Sequence, residues 1–143
     1  MPESAVTGAA AMPLLGGCHC GDVRYEISAP PLEAGYCHCS ICRRTTGAPV
    51  LAWAVVPIAG FRYLGAAPRV YRSSPWGERR VCPNCGAQLE YRRAENPATV
   101  ELNIGTLDDP DVIRPGSHVW TVDALSWLHI EDDLPRYREG GPD

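Results

Sequence analysis

Tyr36-Cys37-His38-Cys39-Ser40-Ile41-Cys42-Arg43-Arg44 gathers three of the chain's seven cysteines within six residues. In an extended strand, residues i and i+2 share a face, so Cys37 and Cys39 can reach one ion, and a single helical turn brings Cys42 round to them. The stretch therefore predicts a strand running into a short helical turn around a metal. Three ligands leave zinc one short of its preferred four, the arrangement of catalytic rather than structural sites. A fourth ligand from His38 or His118 would close the site. His38 lies between two ligand positions and should face the other side of the strand, which argues against it, and His19 has the same problem. His118 and His129 read as ordinary packed or surface residues beside aromatic and apolar neighbours.

Two further thiol pairs flank this stretch. Gly17-Cys18-His19-Cys20-Gly21 puts two thiols on one face ahead of Val23-Arg24-Tyr25-Glu26-Ile27, whose strict alternation marks a half-buried strand. In Val81-Cys82-Pro83-Asn84-Cys85-Gly86 the proline presets a turn between the thiols and the glycine permits a positive φ after them. Such a knuckle supplies two ligands, so a closed site must borrow a distant pair. Cys18, Cys20, Cys82 and Cys85 would then form a closed structural site, leaving Cys37, Cys39 and Cys42 as an open one. Spacing alone equally allows Cys82 and Cys85 to join Cys37 and Cys39.

The 143 residues, 45% of them apolar, suit a single core. We expect a disordered leader over residues 1–13, one zinc-binding domain over 14–138 and a frayed tail over 139–143, with exposure and fraying setting in from Leu134. The net charge of −4 offers no basic stripe, which speaks against a nucleic-acid partner. No apolar run reaches the ~20 residues of a membrane helix, and the N-terminus lacks the basic and apolar regions of a signal peptide. The expected location is the cytoplasm, where an odd number of closely spaced cysteines indicates metal ligands rather than disulfides. The continuous apolar run Val50-Leu51-Ala52-Trp53-Ala54-Val55-Val56 predicts a central strand buried on both faces. Shorter strands are predicted over residues 61–64, 69–73, 78–81, 88–92 and 99–104. With 14 glycines and 14 prolines and little helical periodicity, the expected class is mainly β with short helical turns. Arg43, Arg44, Arg79 and Arg80 adjoin the cysteines and would offset thiolate charge; one of the four is also a candidate to bind a substrate carboxylate, Arg43 or Arg44 foremost.

As a set, the motifs resemble the glutathione-dependent formaldehyde-activating enzymes, grouped with centromere protein V. The resemblance runs from about Leu15 to Tyr137. It includes the three cysteine motifs, Arg72-Ser73-Ser74, Gly105-Thr106-Leu107-Asp108-Asp109-Pro110, His118-Val119-Trp120 and Asp133-Leu134-Pro135-Arg136-Tyr137. It implies a zinc-bound β-tent in which two antiparallel sheets meet at a zinc. By resemblance the structural zinc falls to Cys18, Cys20, Cys82 and Cys85, and a catalytic zinc to Cys37, Cys39 and Cys42. Two zinc ions per chain are thus expected, the second held more weakly. The implied partners are a small thiol such as glutathione and a small aldehyde, joined as S-hydroxymethylglutathione by a carbon-sulfur lyase run in reverse. The alternative is a non-catalytic zinc module for thiol carriage or protein interaction. An enzyme needs a cleft beside Cys37 to Cys42, whereas a module needs only stable zinc and an apolar patch.

Overall fold

The computed structural model describes residues 12–141, so the expected leader falls almost wholly outside the described residues. The alternating stretches become β1 (Leu14–Gly17), β2 (Arg24–Ile27), β3 (Glu33–Cys37), β4 (Leu51–Pro57), β5 (Phe61–Tyr63), β6 (Arg69–Ser74), β7 (Gly77–Val81), β8 (Gln88–Arg93), β9 (Thr99–Asn103) and β10 (His118–Val119). The one α-helix among the described residues, α1 (Ser40–Thr46), is the turn that carries Cys42. No helix there is long and apolar enough to cross a membrane.

The strands form two sheets: a three-stranded one in the order β1-β2-β5 and a seven-stranded one in the order β10-β3-β4-β9-β8-β7-β6. Every pairing is antiparallel except that of β10 with β3, which makes the larger sheet mixed at that edge. The fold is thus mainly β, as the residues predict, in the two sheets that the resemblance implies.

Strand alternation sends successive residues to opposite faces. On the large sheet, Ala34, Ala54, Val56, Val100 and Leu102 share a buried core with Tyr25, Ile27 and Phe61 of the small sheet. The intervening residues Trp53, Val55 and Glu101 face the opposite side, where they line a cavity. β4 is therefore an interior strand, but only one of its faces is packed in the main core.

A buried charge network also ties the sheets. Glu90 on β8 is fully buried and accepts a hydrogen bond from Tyr63 Oη of β5 at 2.8 Å. Its carboxylate also pairs with Arg92 at 2.7 Å and lies 3.8 Å from Arg80.

The stretch from Leu134, expected to be exposed and frayed, is mostly exposed as expected but not frayed: it is bonded along β10 and the turn that follows as far as Glu139. His118 N–H donates to Pro135 O at 2.8 Å, Tyr137 N–H to His118 O at 2.8 Å, and Trp120 N–H to Glu139 O at 2.9 Å. Tyr137 packs against a second buried cluster of Cys37, Cys42, Trp53 and Val119, which gives this polar segment a reason to stay in place.

Removing one partner of a buried ion pair strands the others. Glu90→Ala is therefore expected to lower stability by about 3 kcal/mol, read as a reduced urea midpoint, with Glu90→Gln costing less because it retains an acceptor for Tyr63.

Candidate functional site

Cys18 and Cys20 leave the end of β1, and Cys82 and Cys85 leave the end of β7, so each sheet contributes one pair. The four sulfurs lie within 4.8 Å of one another. Cys18 and Cys20 Sγ are 3.5 Å apart, and Cys20 and Cys82 Sγ 3.7 Å apart. Four thiolates about 2.3 Å from one tetrahedral ion would stand about 3.8 Å apart. Val23 N–H donates to Cys18 Sγ at 3.3 Å, and the amides of Asn84 and Cys85 donate to Cys82 Sγ at 3.4 and 3.3 Å. Against the effect of burial, the Val23 bond helps to hold the Cys18 thiol below its ordinary value, towards the thiolate form that a metal requires. The turn closes because Gly86 takes φ +81° and donates its N–H to Cys82 O, a conformation that suits glycine. The alternative left open by spacing, Cys82 and Cys85 with Cys37 and Cys39, is not the grouping the fold makes. An all-sulfur set at this separation fits a soft divalent ion.

The second cluster sits at the junction of β3 and α1. Cys37 ends the strand, and Cys39 caps the helix, its Sγ accepting the Cys42 N–H at 3.3 Å. Gly47 stops the helix at φ +72° with its N–H on Arg43 O. These three sulfurs also lie within 4.8 Å of one another. They divide their protons unequally. Hydrogen bonding with Cys39 and Cys42, with burial added, pushes the Cys37 thiol far up. The bonds from Cys37 and then Cys42 pull Cys39 down. Ionising all three thiols at once would require a cation among them. Arg79 is the fixed charge beside them: buried, it directs Nη2 at Cys42 Sγ from 3.7 Å, donates Nε–H to Ser73 Oγ at 3.1 Å, and stacks 4.6 Å from the Tyr91 ring centroid. Arg79 could not by itself balance three thiolates, so all three sulfurs would ionise together only around a divalent ion.

Neither histidine proposed as a closing ligand belongs to this cluster. His38 turns to the opposite side of the chain, where its Nε2 meets His118 Nδ1 at 2.8 Å, and His118 Nε2 meets Asp132 Oδ2 at 2.8 Å. Both imidazoles are buried. His118, read from sequence as ordinary, is thus the centre of a three-residue chain behind the thiols. The available signal was His38 itself: a histidine between two ligands on a strand must point inward, where a buried polar group needs a partner.

The three thiols open onto a cavity of about 360 Å³ on the large sheet's free face. A cross-strand row, Glu33–Val55–Glu101–Tyr91–Arg79, forms much of its floor. Trp53, Trp76 and Trp120 add aromatic walls. Burial pushes the Glu101 carboxyl up, an effect that Arg93, 3.7 Å away, partly opposes. Arg43 and Arg44, expected as candidates for a substrate carboxylate, are not among the lining residues. They occupy the last turn of α1, where their charge complements the helix end. The guanidinium groups that do line the cavity belong to Arg79 and Arg93.

Fold and site together define a mainly β protein with two sulfur clusters able to hold metal, one joining the sheets and one facing a cavity. The family model described as glutathione-dependent formaldehyde-activating enzyme matches residues 13–123, and the chain belongs to that family. A Halomonas elongata protein, named as a provisional glutathione-dependent formaldehyde-activating enzyme, is 31% identical over 144 aligned residues, covering 92% of this chain and 90% of its own. A Rhodobacter sphaeroides crystal structure from a structural genomics programme shares the fold with a TM-score of 0.56 at 23% identity, covering 86% of this chain and 99% of its own.

The Asp132 carboxylate yields a pH-dependent prediction. Burial alone would raise it, but hydrogen bonds from His118, the Leu134 amide and Arg136 hold it below the usual range. A depressed carboxyl stabilises fully above its unfolded value near 4 and loses that contribution as pH falls through its lower folded value. Asp132→Asn should therefore cost about 1 kcal/mol at neutral pH, and its melting temperature should converge with the parent's below roughly pH 3.

Proposed function

We propose that this protein is a zinc-dependent carbon-sulfur lyase that joins a small, glutathione-like thiol to an aldehyde such as formaldehyde. The observation that carries this reading is the opening of Cys37, Cys39 and Cys42 onto a cavity large enough for a small molecule. A protein-binding zinc module would have no need of that space. The family description and the name of the Halomonas relative point to the same pair of substrates.

In this reading Cys18, Cys20, Cys82 and Cys85 hold a structural zinc, and Cys37, Cys39 and Cys42 hold a second, more labile one. Zinc held by three cysteines would supply an open coordination position at which a substrate sulfur stays ionised at neutral pH. Arg79 keeps positive charge against Cys42 without itself leaving the wall. The addition forms one carbon-sulfur bond, opens the carbonyl π bond, and moves the thiol proton to the carbonyl oxygen. Glu101, a cavity carboxyl raised by burial, is the group suited to carry that proton. A substrate carboxylate inside the cavity would meet Arg93 rather than Arg43 or Arg44.

The two clusters should respond differently to loss of a ligand. Cys82→Ser removes a bond between sheets and should leave the domain insoluble or without a cooperative melt, because structural metal binding is folding free energy. Cys39→Ser affects ligands that are close in sequence and should fold, with zinc stoichiometry falling from two to one and glutathione binding lost. A Cys39→Ser protein that melts as poorly as Cys82→Ser, or that still consumes formaldehyde with glutathione, would overturn the assignment.

A further inference from the structure

Trp120 is the only non-glycine residue with a positive φ among the described residues, at φ 56° and ψ 39°. Left-handed backbone is unfavourable for a bulky side chain and persists only where surrounding contacts impose it. The imposing contacts come from the C-terminal segment. Trp120 N–H donates to Glu139 O at 2.9 Å, Thr121 N–H to Tyr137 O at 3.1 Å, and Val122 N–H to Arg138 O at 3.2 Å. Asp123 N–H returns to Trp120 O at 3.1 Å and closes the turn. The segment is anchored by Arg136, whose guanidinium bonds Asp132 Oδ1 at 3.0 Å and Ile130 O at 2.9 Å.

A turn that needed only a positive φ would be served by glycine without steric cost. A tryptophan there indicates that the indole itself is used. It packs against the buried cluster containing Cys37, Cys42, Trp53 and Val119, and it lines the cavity beside the three thiols. Gly140, also in the lining, lies against its edge: a Cβ built on that glycine would stand 3.9 Å from Trp120 Nε1.

We infer that Trp120 is a specificity-determining wall of the cavity, held against the body of the bound thiol by the C-terminal strap that forces its left-handed backbone. The inference rests on the proposed thiol-binding function and adds a role for residues that reading leaves unused. A small thiol would be held at the cysteines alone, whereas a tripeptide thiol would also rest on the indole. The strap thereby makes the segment around Glu139 part of the site without placing any of its own side chains on the reacting atoms.

The test uses the intact zinc-loaded protein with two probes, glutathione and 2-mercaptoethanol, their dissociation constants measured by calorimetry. Trp120→Gly keeps the backbone conformation and removes the indole. It should weaken glutathione about tenfold while leaving 2-mercaptoethanol within twofold, and Trp120→Phe should restore most of the discrimination. A merely structural Trp120 would shift both thiols alike, so equal weakening overturns the inference, as does no change in either. If Trp120→Gly fails to fold, Trp120→Phe decides: its smaller ring should still weaken glutathione more than 2-mercaptoethanol. A parent protein that binds neither thiol overturns the thiol-binding reading and this inference with it, a result distinct from equal weakening, which overturns the inference alone.

Discussion

The joint on which the structure depends is the meeting of four sulfurs from two sheets. Cys20 and Cys82 stand 62 residues apart in the chain and 3.7 Å apart in space. Closing so long a loop costs conformational entropy, and four ionised thiols at such separations repel one another unless a cation sits among them. The small sheet contains three strands and cannot bury its own face alone. Pinning β1 to the end of β7 brings the sheets together at one end, and the nearby Tyr63–Glu90 contact reinforces that joint.

With one face of the large sheet committed to that packing, its other face is free for chemistry. The same strands serve both purposes because successive side chains alternate. On β4 and β9, Ala54, Val56, Val100 and Leu102 make core, while Trp53, Val55 and Glu101 make cavity. A one-residue slip in pairing would exchange the two sets, so register is under strong constraint from both directions. The polar row of Glu101, Tyr91 and Arg79 tolerates its position because it faces a cavity and satisfies itself through stacking and charge.

The junction of β3 and α1 repeats this division within three residues. Cys37 and Cys39 turn one way to join Cys42, and His38 turns the other way to His118 and Asp132. The histidine chain ties the thiol-bearing strand to β10 from behind, and the strap along β10 reaches round to place Trp120 at the front. Two faces of one short segment are thus fixed by the same distant part of the chain.

Much of this was legible in the sequence because its causes are local. The thiol spacings, the proline and glycine of the Cys82 to Gly86 turn, the alternation of β2 and the apolar run of β4 each act within a few residues, and each produces the predicted local structure. The family resemblance likewise rests on short motifs. What needed the tertiary structure were relations between residues far apart. Spacing could not decide which thiol pair joined Cys82 and Cys85, since that depends on where two separate sheets place their strand ends. Arg43 and Arg44 lie nearest the cysteines in sequence, yet Arg79, 37 residues from Cys42, is the one that touches its sulfur. His118 and the strand-like course of residues 134–139 were misread for the same reason. His118 is buried by a partner 80 residues away, and residues 134–139, though mostly exposed, are held in place by backbone bonds to His118, Trp120, Thr121 and Val122. Sequence alone determined the sulfur chemistry and the strand content, because bonding and steric preferences over a few residues suffice for those. The grouping of the thiols, the cavity and its walls were decided only by the folded chain, because they arise from long-range packing that no local preference encodes.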